Sequence, residues 1–568
     1  MKRDLNQLAS QQYDVLVIGG GIYGACIAWD ATLRGLSVAL VDKGDFGQAA
    51  SANSLKIIHG GLRYLQNGNL KLMRIMVKER MTWLRIAPHL VHPLPCLMPT
   101  YQQLSRNGVI MATALRLNDW VSYDRNQLRD PQKHLPNGHL ISKAECLALL
   151  PGMMADGITG GVIWYDAQMY NSERLLLSFI LSASRAGAQV ANYVEVIGFL
   201  PDEKGIRGVK AKDVLTGQTF DIKAKVVVNS AGAWVDAILG FLNGHSPVPK
   251  FHRSSAINMV TRQILPKYAV GVSSQYSSQD EVGRPTRRSH MLFIVPWHHY
   301  SLIGTIHAPY AGASANYQIT EEIVRDFIDK INAAYPRAAL TREDVYHVHW
   351  GFLPMVEANG QANEVTLVRK GHVYDHELED GIAGLITVVG VKYTTARYVA
   401  QTAVDLVVKK LGRRVRSCQT HQTPVYGGQI DRFDDFLARA IENRPCGLSP
   451  EIIKHLVYSY GSHYLQVLKY LTEKPAWSQT ITELSPLIKA EVIHATREEM
   501  VQKLTDVIQR RTELGAAGLP DEACLRCCAD LVAAELGWDQ TRRDQEIQEV
   551  RVAYATTTAP VKEKVGVN

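Results

Sequence analysis

The sequence predicts an α/β (α+β) chain of three units: a parallel-sheet domain, a mostly antiparallel domain inserted into it, and a helical C-terminal domain. Three observations lead there. A β-rich run at 13–18 (YDVLVI) passes directly into glycines, a helix-forming stretch and a second β-rich run at 37–41 (SVALV). Further β-rich runs stand at 291–295 (MLFIV) and 300–303 (YSLI). Beyond the Gly427-Gly428 pair, apolar residues recur at helical spacing, as in Met500, Val501, Leu504, Val507 and Ile508.

Length and composition agree. At about 150 residues per domain, 568 residues suit three or four units. The 46% apolar and 21% charged residues exclude a disordered or collagen-like chain. No apolar run approaches ~18 residues, and residues 1–14 are polar, without the apolar centre of a secretory leader. A cytoplasmic protein is expected. The net charge of +7 suits anionic metabolites, a membrane surface or nucleic acid equally well. No basic arm or recognisable nucleic-acid-binding motif accompanies it, so a nucleic-acid role is not expected. Cys524, Cys527 and Cys528 read as thiols buried on a helix face, and no metal site is expected.

The first unit carries the clearest motif. Gly19, Gly21 and Gly24 stand as GxGxxG between the strand at 13–18 and a helix at 25–34. Gly19 permits the tight turn, Gly21 lets a pyrophosphate approach the backbone, and Gly24 lets helix pack on strand. The helix N-terminus offers N–H donors and partial positive charge to the phosphates. Asp42 ends the second strand 21 residues after Gly21, placed for ribose hydroxyls. The unit is therefore a Rossmann-like FAD/NAD(P)-binding domain. Its position at the N-terminus, with two distant segments that complete a cofactor site, favours FAD. One is the strand and small-residue turn at 225–234, with Ala231, Gly232 and Trp234. The other is the strand, turn and helix from 385 to 407, with Gly390, Lys392, Tyr393, Thr394 and Thr395. That helix would aim its N-terminus at the flavin pyrimidine, where reduction accumulates negative charge.

At 54–65 the chain reads SLKIIHGGLRYL. With WYDAQ (164–168), NSAGAWV (229–235), FIVPW (293–297), LIGT (302–305), IKAEV (488–492) and DVIQRRT (506–512) in order, it resembles the FAD-dependent, quinone-linked glycerol-3-phosphate dehydrogenases from about 13 to 514. The resemblance implies oxidation of sn-glycerol 3-phosphate to dihydroxyacetone phosphate, hydride passing to flavin N5 and electrons to quinone. His59 suits the proton-accepting role, Arg63 offers a planar fork for phosphate and Tyr64 a hydroxyl. By the same resemblance Lys392 assists at the flavin and the developing carbonyl. Arg369 is a second phosphate contact, Thr394 and Thr395 lie near substrate, and Ser51, Ser54, Lys56 and Ile57 border the cofactor.

The substrate side departs from the pattern. Leu353 stands where the family has a phosphate-side arginine, residues 254–258 (SSAIN) lack its lysine and histidine, and His307 replaces a carboxylate. A charge-assisted hydrogen bond is worth ~1.5–3 kcal/mol, so the alcohol is less fixed than the chemistry. A different polyol phosphate or a less charged glycerol derivative stays open, as does an oxidase using oxygen or a non-catalytic flavin-binding redox sensor.

The expected division gives the FAD domain 13–95, 150–245 and 375–415, the substrate domain 96–149 and 246–374, and the C-terminal domain 429–555, with a frayed tail beyond. Segments 70–85 and 106–120 mix bulky apolar residues with Lys and Arg. They read either as buried helices or as helices on the inner face of the cytoplasmic membrane. Self-association as a homodimer stays open.

Overall fold

The computed structural model describes all residues except 103–107, 204, 243–250, 280–284, 311, 313–316, 357–365, 368–370, 484 and 556–568. The side chains of 66–67, 274–279, 285–290, 356 and 366–367 are also outside the description. Arg369 and the tail beyond 555 therefore lie outside the described residues.

The N-terminal strand Gln12–Ile18 lies at the heart of a parallel sheet, flanked by Val38–Val41 and Thr219–Asn229. Gln189–Ala191 continues it on one side and Leu385–Val389 on the other, all parallel. Strands buried on both faces are apolar throughout, as Val15, Leu16 and Val17 are here, each fully buried. Helices Ile22–Leu33, Ser172–Arg185 and Ala396–Leu411 pack together on one face through a shared apolar core. The antiparallel ribbon Val194–Asp202 and Gly205–Asp213 extends from the long strand Thr219–Asn229.

Among the described residues a second sheet holds ten strands and is mostly antiparallel. Towards one edge His252–Arg262 lies between Tyr300–Tyr310 and Val345–Val356, and Glu321–Ala334 packs against the sheet by Val324, Phe327, Ile328 and Ile331. Strands Val91–Tyr101 and Ile158–Met169 pair antiparallel along most of their length in this sheet. The sequence division at 95 and 150 puts Ile158–Met169 with the cofactor domain. It joins the other sheet through its long pairing with Val91–Tyr101, and Ile57 and Ile58 add a short strand beyond it by pairing with Gln168 and Ala167.

From Phe433 onward the described chain is mostly helical. Glu522–Leu536 buries Cys524 and Cys528 and leaves Cys527 half-buried, and burial raises the Cys527 thiol pKa. The regular helix expected through 500–508 is shorter. Met500 has φ 60°, the helix spans only Leu504–Asp506, and Val507–Arg511 forms a wider π-type turn. The reason is polar: Asp506 caps the Gln502 and Lys503 N–H groups, and the π-turn delivers Arg510 and Arg511 to buried Asp45.

Candidate active site

The glycine turn behaves as its spacing demands. Gly19 has φ +101°, a region that favours glycine. A Cβ at Gly24 would overlap the Gly19 carbonyl oxygen, so helix Ile22–Leu33 approaches the strand as closely as backbone allows. Gly21 caps that helix with no side-chain hydrogen bond of its own, while Ser51 Oγ accepts from Ile22 N at 3.1 Å. Asp42 is half-buried at the edge of the groove and accepts from Gly20 N (2.6 Å) and Gly44 N (2.9 Å). Burial, outweighing those donors, pushes its carboxyl up to about 6.

A cavity of about 1040 Å³ starts at this turn and runs between the two sheets. Among the expected residues it is lined by Gly19, Gly21, Asp42, Ser51, Ser54, Arg63, Tyr64, Ala231, Gly232, Trp234, Gly390, Lys392 and Tyr393. Segments over 370 residues apart in sequence thus share one groove. The far turn is tied to the first helix, since Tyr23 Oη donates to the Lys392 carbonyl at 3.0 Å. A Cβ at Gly390 would overlap the Tyr23 hydroxyl, which explains that glycine. Lys392 stands in this turn, before the helix that begins at Ala396, and its ammonium lies 4.7 Å from the Tyr64 ring centre. Arg63 is exposed on the 3₁₀ turn Leu62–Asn67, beside half-buried Tyr64.

Gly24 acts through helix packing, as its spacing predicts. Four expected residues are placed differently. Ile57 is buried in the second sheet's core, with Leu94, Val162 and Trp164. Thr394 and Thr395 are buried behind the turn. Thr394 Oγ1 accepts from His59 N (3.1 Å), and its carbonyl accepts from the Trp83 indole (2.9 Å). Lys56 departs most. Its side chain is fully buried, and Nζ donates to Ala52 O (3.2 Å), Ser172 Oγ (2.8 Å) and both Glu173 carboxylate oxygens (2.9 Å each). An ammonium inside the protein needs a carboxylate, and the nearest one is Glu173.

His59 does not line the cavity but sits on the segment that carries Arg63 and Tyr64. Its ring is 44% exposed, and Nδ1 lies 3.1 Å from Asp166 Oδ2. Asp166 is a residue the sequence reading passed over, although WYDAQ contains it: a carboxylate flanked by apolar residues in a β-run was the available signal. Asn258, first read as a loss, bridges the two domains. Its Nδ2 donates to Asn53 O at 3.0 Å and its Oδ1 accepts from Thr305 Oγ1 at 2.7 Å. His307 and Leu353 both line the cavity, as do His347 and His349. Burial lowers His347 to about 4, and burial together with the neighbouring His347 also holds His349 well below the ordinary imidazole value.

Residues 14–406 match the model of the FAD dependent oxidoreductase family, and 418–543 that of the C-terminal domain of alpha-glycerophosphate oxidase. The glycerol-3-phosphate dehydrogenase of Synechocystis sp. is 32% identical over 96% of this chain and 97% of its own length. The chain belongs to the FAD-dependent glycerol-3-phosphate dehydrogenase family. The mitochondrial glycerol-3-phosphate dehydrogenase of Mus musculus is 30% identical over 94% of this chain and 72% of its own. The fold recurs in the Bacillus halodurans enzyme complexed with FAD, at TM-score 0.74, 24% identity and coverage of 98% and 97%. The protein is a FAD-dependent oxidoreductase. Its own residues fit that cofactor: the Gly21 turn leaves N–H donors for a pyrophosphate, Asp42 faces the groove, and Ser51, Ser54, Ala231 and Gly390 leave room along it.

Proposed function

We propose that the protein oxidises sn-glycerol 3-phosphate at C2 to dihydroxyacetone phosphate and hands the electrons to quinone. The observation that carries this reading is one groove holding the glycine turn, Arg63, Tyr64 and Lys392, with His59 on the same segment. FAD, when bound, supplies the hydride acceptor. His59 takes the hydroxyl proton, Arg63 and Tyr64 hold the phosphate with Arg369 as a second contact, and Lys392 steadies the developing carbonyl oxygen. Thr394 acts indirectly, by holding the His59 backbone. Anaerobic mixing with glycerol 3-phosphate should bleach the flavin. A protein that dithionite reduces and glycerol 3-phosphate does not would refute this substrate.

A second reading has its own observation. Leu353 and Phe352 line the groove beside Ala256, which suits an apolar substituent on glycerol better than a second anion. Faster bleaching by a phosphate-free glycerol ester than by glycerol 3-phosphate would select it.

For the quinone step the membrane is the natural meeting place. Among the described residues no helix is long and apolar enough to cross one. Helix Leu70–Ile86 buries Leu72, Met76 and Trp83, whereas Gly108–Val121 leaves Val109 (74%), Ile110, Leu117 and Trp120 (72%) exposed. Exposed Leu70 and Tyr123 and the cations Lys71 and Arg116 flank this apolar face, as a peripheral helix on anionic lipid requires. Trp120→Ser should lower binding to anionic vesicles and quinone reduction together, leaving flavin bleaching unchanged. Undiminished vesicle binding would reject the face.

A further inference from the structure

The Asp166 carboxylate lies under the His59-Gly60-Gly61 segment, 5% exposed. Its Oδ1 accepts from Gly60 N (2.7 Å) and Arg80 Nη1 (2.8 Å), and its Oδ2 lies 3.1 Å from His59 Nδ1 and 3.4 Å from the Trp164 indole nitrogen. Arg80 is itself anchored by the Tyr165 carbonyl, to which the same Nη1 donates at 2.7 Å. A Cβ at Gly60 would overlap Arg80 Nη1, so this glycine clears the path by which the guanidinium reaches the carboxylate. Gly61, with φ +85°, turns the chain back into the Arg63 turn.

We infer that Asp166 is a positioning residue that fixes the tautomer and ring orientation of His59. The inference rests on the reading of His59 as the proton acceptor. A carboxylate accepts and never donates. Paired with Arg80 and two further N–H groups, Asp166 stays ionised, and His59 Nδ1 must be the donor. The neutral ring then carries its lone pair on Nε2. In the oxidation the substrate O–H bond breaks and its proton binds Nε2. The C2–H bonding pair leaves with its hydrogen as hydride to FAD, and the oxygen's pair forms the carbonyl. As the ring becomes imidazolium, Asp166 already faces the new charge, so no group has to move to meet it. Arg80 and Gly60 belong to the arrangement one step further out.

The alternative is a carboxylate that only anchors Arg80. Asp166→Asn separates the two. The amide oxygen still accepts from Gly60 and Arg80, but the amide nitrogen now faces His59 and donates. Nδ1 must then accept, and the proton moves to Nε2, where it blocks the base. In stopped-flow reduction by glycerol 3-phosphate, Asp166→Asn should keep its FAD and a substrate Kd within about threefold. Its limiting reduction rate should fall ~10²–10⁴-fold, the range that a general base contributes. Asp166→Glu, which keeps an acceptor, should recover at least tenfold over Asp166→Asn. In a His59→Ala background, adding Asp166→Asn should cost less than threefold more. Wild-type reduction by His59→Ala would remove the base itself, and this inference with it. A slow His59→Ala beside an Asp166→Asn of wild-type rate overturns the positioning role alone. Loss of FAD from Asp166→Asn would assign the carboxylate to the scaffold and also overturn it.

Discussion

Replacing Lys56 by methionine separates a cofactor contact from a clamp on the cofactor loop. The side chain is fully buried, its Nζ is held by Ala52, Ser172 and Glu173, and it lies 4.9 Å from the Trp297 ring centre. Methionine fills nearly the same space, so little cavity opens. What changes is electrostatic: Glu173, 12% exposed, loses the cation that pairs with it among the described residues. Removing one partner of a buried ion pair costs about 3–5 kcal/mol, because the other charge is stranded. At ~2–4 °C per kcal/mol for units of 150–250 residues, the melting midpoint should drop roughly 6–20 °C. Lys56→Met/Glu173→Gln strands no charge and should regain about 2 kcal/mol or more. Urea unfolding followed by tryptophan fluorescence measures both, and flavin absorbance measures cofactor retention in the same samples. FAD should leave only as the chain unfolds. A Lys56→Met protein that releases FAD at an unchanged unfolding midpoint would refute the clamp and return Lys56 to the cofactor.

Gly24→Ala drives a Cβ into the Gly19 carbonyl, which is backbone and cannot turn aside. At ~1–3 kcal/mol for overpacking, FAD affinity should fall roughly 5- to 150-fold, and a titration of apoprotein within twofold of wild type would contradict the packing argument. Asp45→Asn leaves Arg510 and Arg511 buried against an uncharged amide. At about 3–5 kcal/mol, the C-terminal domain should loosen and be cut sooner near 418–430 in limited proteolysis, so unchanged protection would count against that docking role. Lys133 is buried, and desolvation lowers its ammonium to about 7 despite Asp130 and Asp434. From there to about 10.5 the unfolded chain holds one more proton than the folded one, so Lys133 makes stability rise with pH across that window, by ~1.4 kcal/mol per unit. Lys133→Met should stabilise at pH 7 and lose that advantage by pH 10; a constant difference at both would exclude the buried ammonium.

Elements whose physics is local were legible in the sequence. The glycine turn, its strand and its helix follow from residues within thirty positions. The helix Glu321–Ala334 is likewise local, since its apolar face lies within that stretch and its Thr320 cap stands just before it. Other features depended on partners far along the chain. Nothing near Lys56 says that Glu173 will neutralise it, so its motif neighbours made it look like a cofactor ligand. Segments 70–85 and 106–120 have similar compositions, yet one is buried and the other half bare. Composition does not say which helix the sheets will cover. Asp166 was hidden the other way. Its importance lies in the imidazole and guanidinium that converge on it, from 107 and 86 residues away.

These long-range partners share a pattern. The chain from Asp42 to Arg63, which borders the cofactor groove, is fastened by buried charge at three points. Asp45 is held by Arg510 and Arg511 of the C-terminal domain, Lys56 by Glu173 of the helix behind the parallel sheet, and the His59-Gly60 backbone by Asp166 of the second sheet. Each fastening comes from a different unit of the fold. Loops that carry function are kept accurate by the scaffold beneath them, and here the scaffold is electrostatic because glycine, alanine and serine at 47–54 offer little to pack. Through Asp45 the C-terminal domain thus supports the chain that borders the cavity, and Arg510 itself lines it. Weakening Arg511 should reach FAD through Asp45, whereas an equal loss of stability placed at Cys528, in that domain's own core, should not.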